Sequence, residues 1–148
     1  MKQLKIYIEN SVIGGYFDII FEEATIRLFE KFKNGEYLAV ISTHTYGELN
    51  NGAPDNVKSN LETIPYEKIG ITDAMLNLCQ RYMDEEIVSE QYRSDALHIA
   101  IATISGVDVM VSWNFKHIVN LNRIKLFNSV NLKEGYNLLE IRTPLEVI

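Results

Sequence analysis

Leu4, Ile6 and Ile8 alternate with polar or amphipathic neighbours, and this period of two predicts a strand over residues 3–8. Gly14-Gly15 breaks it. Phe17, Phe21, Ala24, Leu28 and Phe32 then recur at steps of four and three, an apolar stripe on one helix that ends near Asn34-Gly35. Tyr37 to Ile41 is a continuous apolar run, as in a strand buried on both faces. A helix is expected from about Thr45 and a short one over residues 55–63, separated by the turn-rich Asn50–Asn56. Ile69 to Ile71 reads either as a short strand or as an extended loop. Thr72 is placed to cap the next helix, whose stripe is Met75, Cys79 and Tyr82 with Leu76 and Met83. A further helix starts near Ser94-Asp95. Its run from Ala96 to Ile104 leaves almost no polar face, so deep packing is expected until Gly106 ends it. Val107–Val111 and Leu138–Ile141 complete the predicted strands.

Strands separated by helices need crossover connections, and crossovers imply a mostly parallel sheet covered on both faces. The expectation is a single α/β domain over residues 1–148, a three-layer α/β/α sandwich. In such folds ligands bind beyond the carboxyl ends of the strands. Glu9, Asn10 and Ser11 follow the first strand. Ser42 and Thr43 follow the second, with Glu48 about a turn into the next helix. Ser112, Trp113 and Asn114 follow Val111, and Asp95 opens the apolar helix that feeds that strand.

Convergence of Glu9, Glu48 and Asp95 on one sheet edge has a chemical consequence. Two like charges ~4 Å apart repel by ~4 kcal/mol at an effective dielectric near 20, so gathered carboxylates need either protons or a cation. Oxygen ligands favour hard Mg²⁺ or Mn²⁺, ions that bind phosphate oxygens and activate water. Met110 through Lys133 contains no Asp or Glu but carries Lys116, Arg123, Lys125 and Lys133, a segment suited to a nucleic-acid backbone.

Each residue has a plainer role open to it. Glu48 completes Thr45-x-x-Glu48, which fits a capping box. Asp95 suits a first helical turn, Asn114 and Ser11 suit N-caps, Glu9 suits a solvated strand end, and the basic segment suits a hydrated surface. Trp113 reads as a core plug and Cys79 as buried and inert. His44, His98 and His117 show no ligand spacing among themselves, and His98 is expected to be a hydrogen-bonded core histidine.

Composition narrows the class. At 148 residues, 47% hydrophobic and 23% charged, the chain has globular proportions and the length to bury roughly two-thirds of its unfolded surface. No stretch reaches the ~18 apolar residues of a membrane span, and the N-terminal apolar run is too short for a secretory signal, so a cytoplasmic protein is expected. One cysteine excludes an internal disulfide and a cysteine-based zinc site. The net charge of −6 disfavours nucleic-acid binding by charge alone, whereas a bound metal inverts the local sign.

Three stretches resemble the PIN-domain family, of the kind found as toxins of type II toxin–antitoxin pairs. They are Ile6–Ile13, Ser94–Ala102 with its Asp95-Ala96 opening, and Val109–His117, with Ile41-Ser42-Thr43 leading to Glu48 between them. The resemblance spans roughly residues 4–142. It implies a Mg²⁺- or Mn²⁺-dependent endoribonuclease with Glu9, Glu48 and Asp95 as metal ligands and Asn114 at the fourth catalytic position. Ser11, Lys116 and Arg123 would contact substrate. It also implies an RNA substrate, a cognate antitoxin and a homodimer. Two departures stand out: Glu9 where Asp is usual, its carboxylate ~1.5 Å further out unless the side chain folds back, and the uncharged Asn114. They motivate a second reading, a PIN-like module that binds RNA or a protein without catalysis. A small-molecule phosphohydrolase is disfavoured because no Asp nucleophile follows the first strand.

Overall fold

The structure is a computed structural model and describes residues 2–148. Five parallel strands form one sheet: β1 (Leu4–Ile8), β2 (Tyr37–Ser42), β3 (Tyr66–Ile69), β4 (Val109–Val111) and β5 (Ile141–Arg142), in spatial order β3-β2-β1-β4-β5. Among the described residues, seven α-helices accompany them: α1 (Asn10–Gly15), α2 (Glu22–Lys33), α3 (Thr43–Asn50), α4 (Asp55–Leu61), α5 (Asp73–Asp84), α6 (Arg93–Ser105) and α7 (Leu121–Lys133). In register, Ile6 sits between Ala39 and Val109, and Tyr7 between Val40 and Met110.

The two-residue period of the strands sorts the core into two layers. Tyr7, Val40, Met110 and Ile141 face one side and pack with the buried residues of α5, α6 and α7. Ile6, Ile8, Ala39, Ile41, Val109 and Val111 face the other, against Val12 and Ile13 of α1, Leu28, Phe29 and Phe32 of α2, and Leu49, Val57 and Leu61 of α3 and α4. This is the three-layer α/β/α sandwich with a parallel sheet. Because all strands run the same way, Glu9, Ser42 and Ser112 emerge at one edge.

Several boundaries differ from the sequence pattern. The helix expected from Phe17 starts at Glu22; Phe17, Ile19 and Ile20 lie exposed before it. β3 occupies Tyr66–Ile69 and pairs with β2, so the pairing ends where the ambiguous Ile69–Ile71 begins. The last strand is Ile141–Arg142, and Leu138 is exposed. The stretch after Asn120 is helix α7, which the sequence pattern does not predict; Ile124, Phe127 and Val130 turn inward with Asn131. Asn131 accepts a hydrogen bond from the Tyr82 hydroxyl and donates to Thr103 Oγ1 at 3.2 Å, so a polar residue fills a core position. Helix α6 is packed as expected, with Ala96 and His98–Ala102 buried, and stops at Gly106, whose φ of 72° is left-handed. Among the described residues, no helix is long and apolar enough to cross a membrane.

Candidate functional site

Glu9 leaves β1 and turns back. Its carboxylate accepts from the backbone N–H of Ser11 at 3.0 Å and from the Ser11 hydroxyl, capping α1. The extra methylene relative to Asp is therefore absorbed by folding, and Glu9 is only 5% exposed. Ser11 Oγ accepts from the backbone N–H of Trp113 at 2.9 Å, and Ser112 Oγ accepts from that of Asn114 at 2.9 Å. The first bond stitches the end of β1 to the end of β4, and the second shapes the turn that follows β4. Trp113 is buried, stacks on Phe21 and donates its indole N–H to Thr25 Oγ1 at 2.9 Å.

Asn114 is held by its own turn. Its Oδ1 accepts from the backbone N–H groups of Lys116 (3.1 Å) and His117 (2.9 Å), which fixes the amide so that Nδ2 donates to Asp95 Oδ2 at 3.3 Å. Asp95 sits in the first turn of α6, where the helix dipole favours its charge.

Glu48 is not a capping residue. Ser42 caps α3 by accepting from the backbone N–H of Thr45, and Thr45 returns the bond, so the capping box lies three residues ahead of the expected one. That shift leaves the Glu48 carboxylate free to point at α6. Oε1 accepts from His98 Nε2 at 2.6 Å and Oε2 from the Ser94 hydroxyl at 2.9 Å. His44, one turn before Glu48, places Nε2 3.6 Å from Oε1 and 2.7 Å from Ser94 Oγ. Behind His98, the Tyr7 hydroxyl bonds Nδ1 at 2.7 Å and is itself held by Ser42 Oγ (2.9 Å) and Thr45 Oγ1 (3.2 Å). His98 is thus buried and fully hydrogen-bonded.

The electrostatics tie these groups together. Burial pushes the Asp95 carboxyl from its ordinary 3.8 to about 6, the Glu9 charge adds to the rise and Glu48 contributes further, while His98 and the Asn114 amide oppose it. Asp95 therefore senses both other carboxylates. For Glu48 burial acts upward, but the His98 hydrogen bond and charge, with Ser94 and His44, outweigh it and hold the carboxyl below its usual value. Burial, with the neighbouring His98, lowers His44 against the pull of Glu48. Burial raises the Tyr7 phenol well above its ordinary value, so it stays neutral.

The structure brings Glu9, Ser11, Asp95 and Asn114 to the ends of β1 and β4, while the Glu48 carboxylate on α3 is turned to His98 and Ser94 of α6. Among the described residues, the ligand atoms drawn within 4.8 Å of one another belong to His44, Glu48 and His98; Glu9 and Asp95 stand outside that group. Arg123 is half-buried and ties loops together, donating Nε to Ile87 O at 3.3 Å and Nη1 to Lys116 O at 3.0 Å. Lys116 is exposed, its ammonium 5.7 Å from the centroid of the Tyr92 ring. Sequence reasoning missed His44, Ser94 and Tyr7 and gave His98 only a core role. The available signal was His44-x-x-x-Glu48, a spacing of four that puts both side chains on one helical face.

No known family profile matches the sequence, and none of the curated proteins compared with it does. Among solved structures, the chain is similar to the crystal structure of VapC20 from Mycobacterium tuberculosis, described as a toxin that cleaves the sarcin–ricin loop. The TM-score is 0.51 at 15% identity, over 76% of this chain and 92% of that one. At that identity the likeness shows the fold: a PIN-like α/β sandwich.

Proposed function

We propose that the protein is a divalent-metal-dependent endoribonuclease, the toxin component of a toxin–antitoxin pair. One observation carries the reading: at the carboxyl end of a parallel sheet, buried Glu9 follows β1 and Asn114, following β4, bonds the half-buried Asp95 carboxylate at 3.3 Å, where burial and the charges of Glu9 and Glu48 raise the Asp95 carboxyl. Such a desolvated excess of negative charge fits a hard cation. Mg²⁺ or Mn²⁺ is commonly held by one or two carboxylates with several retained waters, so the carboxylates need not close around it. Asp95 and Glu9 would hold the ion, with Glu48 as the third carboxylate of the site. When bound, it supplies charge neutralisation for the scissile phosphate and acidifies a coordinated water.

The chain's own residues do the positioning. Ser11 fixes the Glu9 carboxylate by two hydrogen bonds, one from its backbone and one from its hydroxyl. Asn114 orients Asp95 and, with its own amide set by the following turn, offers a polar edge to the phosphate or to the attacking water. Lys116 supplies an exposed cation beside the site for the RNA backbone, and Arg123 shapes the turn that carries it. Likeness in fold to a loop-cleaving toxin supports the class of activity. A cleft about 310 Å³ in volume, lined by Phe21, Trp113, Phe115 and Leu145 and flanked by Glu23 and Arg27, supports a protein partner such as an antitoxin segment. A homodimer and a cytoplasmic location go with this reading.

A second reading, a PIN-like binding module without catalysis, draws on the engagement of Glu9 as a helix cap and of Glu48 by His98 and Ser94. The two separate on incubation of the purified protein with an oligoribonucleotide, with and without Mn²⁺. The nuclease reading expects Mn²⁺-dependent cleavage that Asp95→Asn and Glu48→Gln each reduce by a hundredfold or more, about the scale of one lost electrostatic group. Metal-independent binding without cleavage, or cleavage undiminished in both variants, contradicts it.

A further inference from the structure

We propose that His44, Glu48 and His98 form a binding site for a borderline transition-metal ion, Zn²⁺ or its Co²⁺ surrogate, separate in chemistry from the hard-ion site at Glu9 and Asp95. Two imidazoles and a carboxylate with a position left open is a donor set that suits Zn²⁺ and its neighbours, and imidazole is a poor partner for Mg²⁺. The three ligand atoms already lie within 4.8 Å of one another. Bonds of ~2.1 Å in a tetrahedral arrangement place ligand atoms ~3.4 Å apart. His44 Nε2 and Glu48 Oε1, at 3.6 Å, meet that spacing. His98 Nε2 and Glu48 Oε1, at 2.6 Å, must separate by under about 1 Å, within the reach of a carboxylate rotation on a half-buried Glu48.

The surroundings are those of a supported site. Metal-bound imidazoles generally have the second ring nitrogen hydrogen-bonded, which fixes ring and tautomer. Tyr7 does this for His98, and the chain of hydrogen bonds continues to Ser42 and Thr45. The proton arrangement closes. In the ion-free protein His98 Nε2–H donates to Glu48, and Nδ1 accepts from Tyr7. On binding, Nε2 offers its lone pair, the ring proton resides on Nδ1 and donates to the Tyr7 oxygen, and the Tyr7 hydrogen turns to Ser42 Oγ or Thr45 Oγ1. Ser94, bonded to both His44 and Glu48, holds the pair of α3 ligands toward α6.

The site stands independently of the nuclease reading, although Glu48 is common to both. The test is calorimetric titration with Zn²⁺, with visible absorption on Co²⁺ titration as a second readout, on the wild type, His44→Ala and Asp95→Asn. The His44 side chain is 20% exposed and bonded to Ser94, and a far-ultraviolet dichroism spectrum and urea midpoint matching the wild type establish that the His44→Ala protein is folded. The expected result is one Zn²⁺ bound with micromolar or tighter affinity in the presence of excess Mg²⁺. His44→Ala should weaken it by ~10–100-fold and abolish the Co²⁺ bands, while Asp95→Asn changes it by less than about threefold. Absence of Zn²⁺ binding by the wild type, unchanged binding by His44→Ala, or binding lost in Asp95→Asn and kept in His44→Ala overturns the proposal. None of these results removes the carboxylate site as a seat for Mn²⁺ or Mg²⁺, which the RNA-cleavage assay tests separately; the last would place zinc there as well.

Discussion

Replacing Asp95 with asparagine should stabilise the protein at alkaline pH while removing the proposed ribonuclease activity. The folded-state carboxyl is raised from 3.8 to about 6, mainly by burial and then by the Glu9 charge. At ~1.4 kcal/mol per pH unit this is at most ~3 kcal/mol for carrying the ionised group in the folded protein, and because Asp95 is only half-buried, solvent screening reduces it to ~1–2 kcal/mol. Below pH ~3.8 the group is protonated in both states and contributes nothing. Between about 3.8 and 6 the folded state keeps a proton that the unfolded chain has released, so stability falls as pH rises, and above about 6 the full penalty is present. The amide of the Asp95→Asn variant carries no charge at any pH. The difference between variant and wild type is therefore expected to be near zero at pH 4 and to grow to ~1–2 kcal/mol at pH 8. For a chain of this size that is on the order of 3–7 °C in melting temperature. Urea unfolding of both proteins across pH 4–8 measures it. Saturating Mn²⁺ should reduce the gap at pH 8, because a bound cation relieves the repulsion only where Asp95 is present. A variant no more stable than wild type at pH 8, or a gap that does not change with pH, would refute the claim that the carboxylates share one desolvated field.

Other perturbations probe different parts of the structure. Gly15→Ala would place a Cβ 2.8 Å from two atoms of the buried Trp113 indole and 3.0 Å from Thr25 Oγ1; a loss of ~1–3 kcal/mol in urea unfolding is expected, with shifted tryptophan fluorescence. Tyr7→Phe leaves His98 Nδ1 and the Ser42–Thr45 hydroxyls short of a buried partner, which should lower stability by ~1–3 kcal/mol by the same assay. Lys116→Ala should weaken binding of RNA to the catalytically silent Asp95→Asn background about equally for all sequences, lowering the slope of log affinity against log salt by about one in filter-binding titrations.

Much of the architecture is legible in the chain because burial on both sheet faces forces near-continuous apolar strands such as Tyr37–Ile41, and because the polar residues at their ends have nowhere else to go. What escaped has identifiable causes. Helix α7 was hidden because its inward face carries Asn131 between apolar turns while Leu121, Leu126 and Leu132 are exposed, which blurs the helical stripe. The aromatic and aliphatic residues between Phe17 and Phe21 extended the α2 stripe backwards although that segment is a surface loop. At the site, the positions of Glu9, Asp95 and Asn114 at the strand ends follow from topology. The engagement of Glu48 does not. It depends on Ser42 rather than Thr45 capping α3, a choice between two neighbouring hydroxyl residues, and on a histidine of α6 that the sequence presents inside an apolar run. Tyr7 looks like an ordinary core residue of β1 because its value lies in a hydroxyl aimed across the sheet at His98.

The proposed chemistry requires a divalent cation seated at the ends of β1 and β4. Anomalous scattering from a crystal soaked in Mn²⁺ locates it directly. The expected result is a peak coordinated by Asp95 and Glu9, alongside Asn114, that disappears in Asp95→Asn crystals. Well-ordered crystals with no peak at those carboxylates, or with the same peak in the variant, would contradict it.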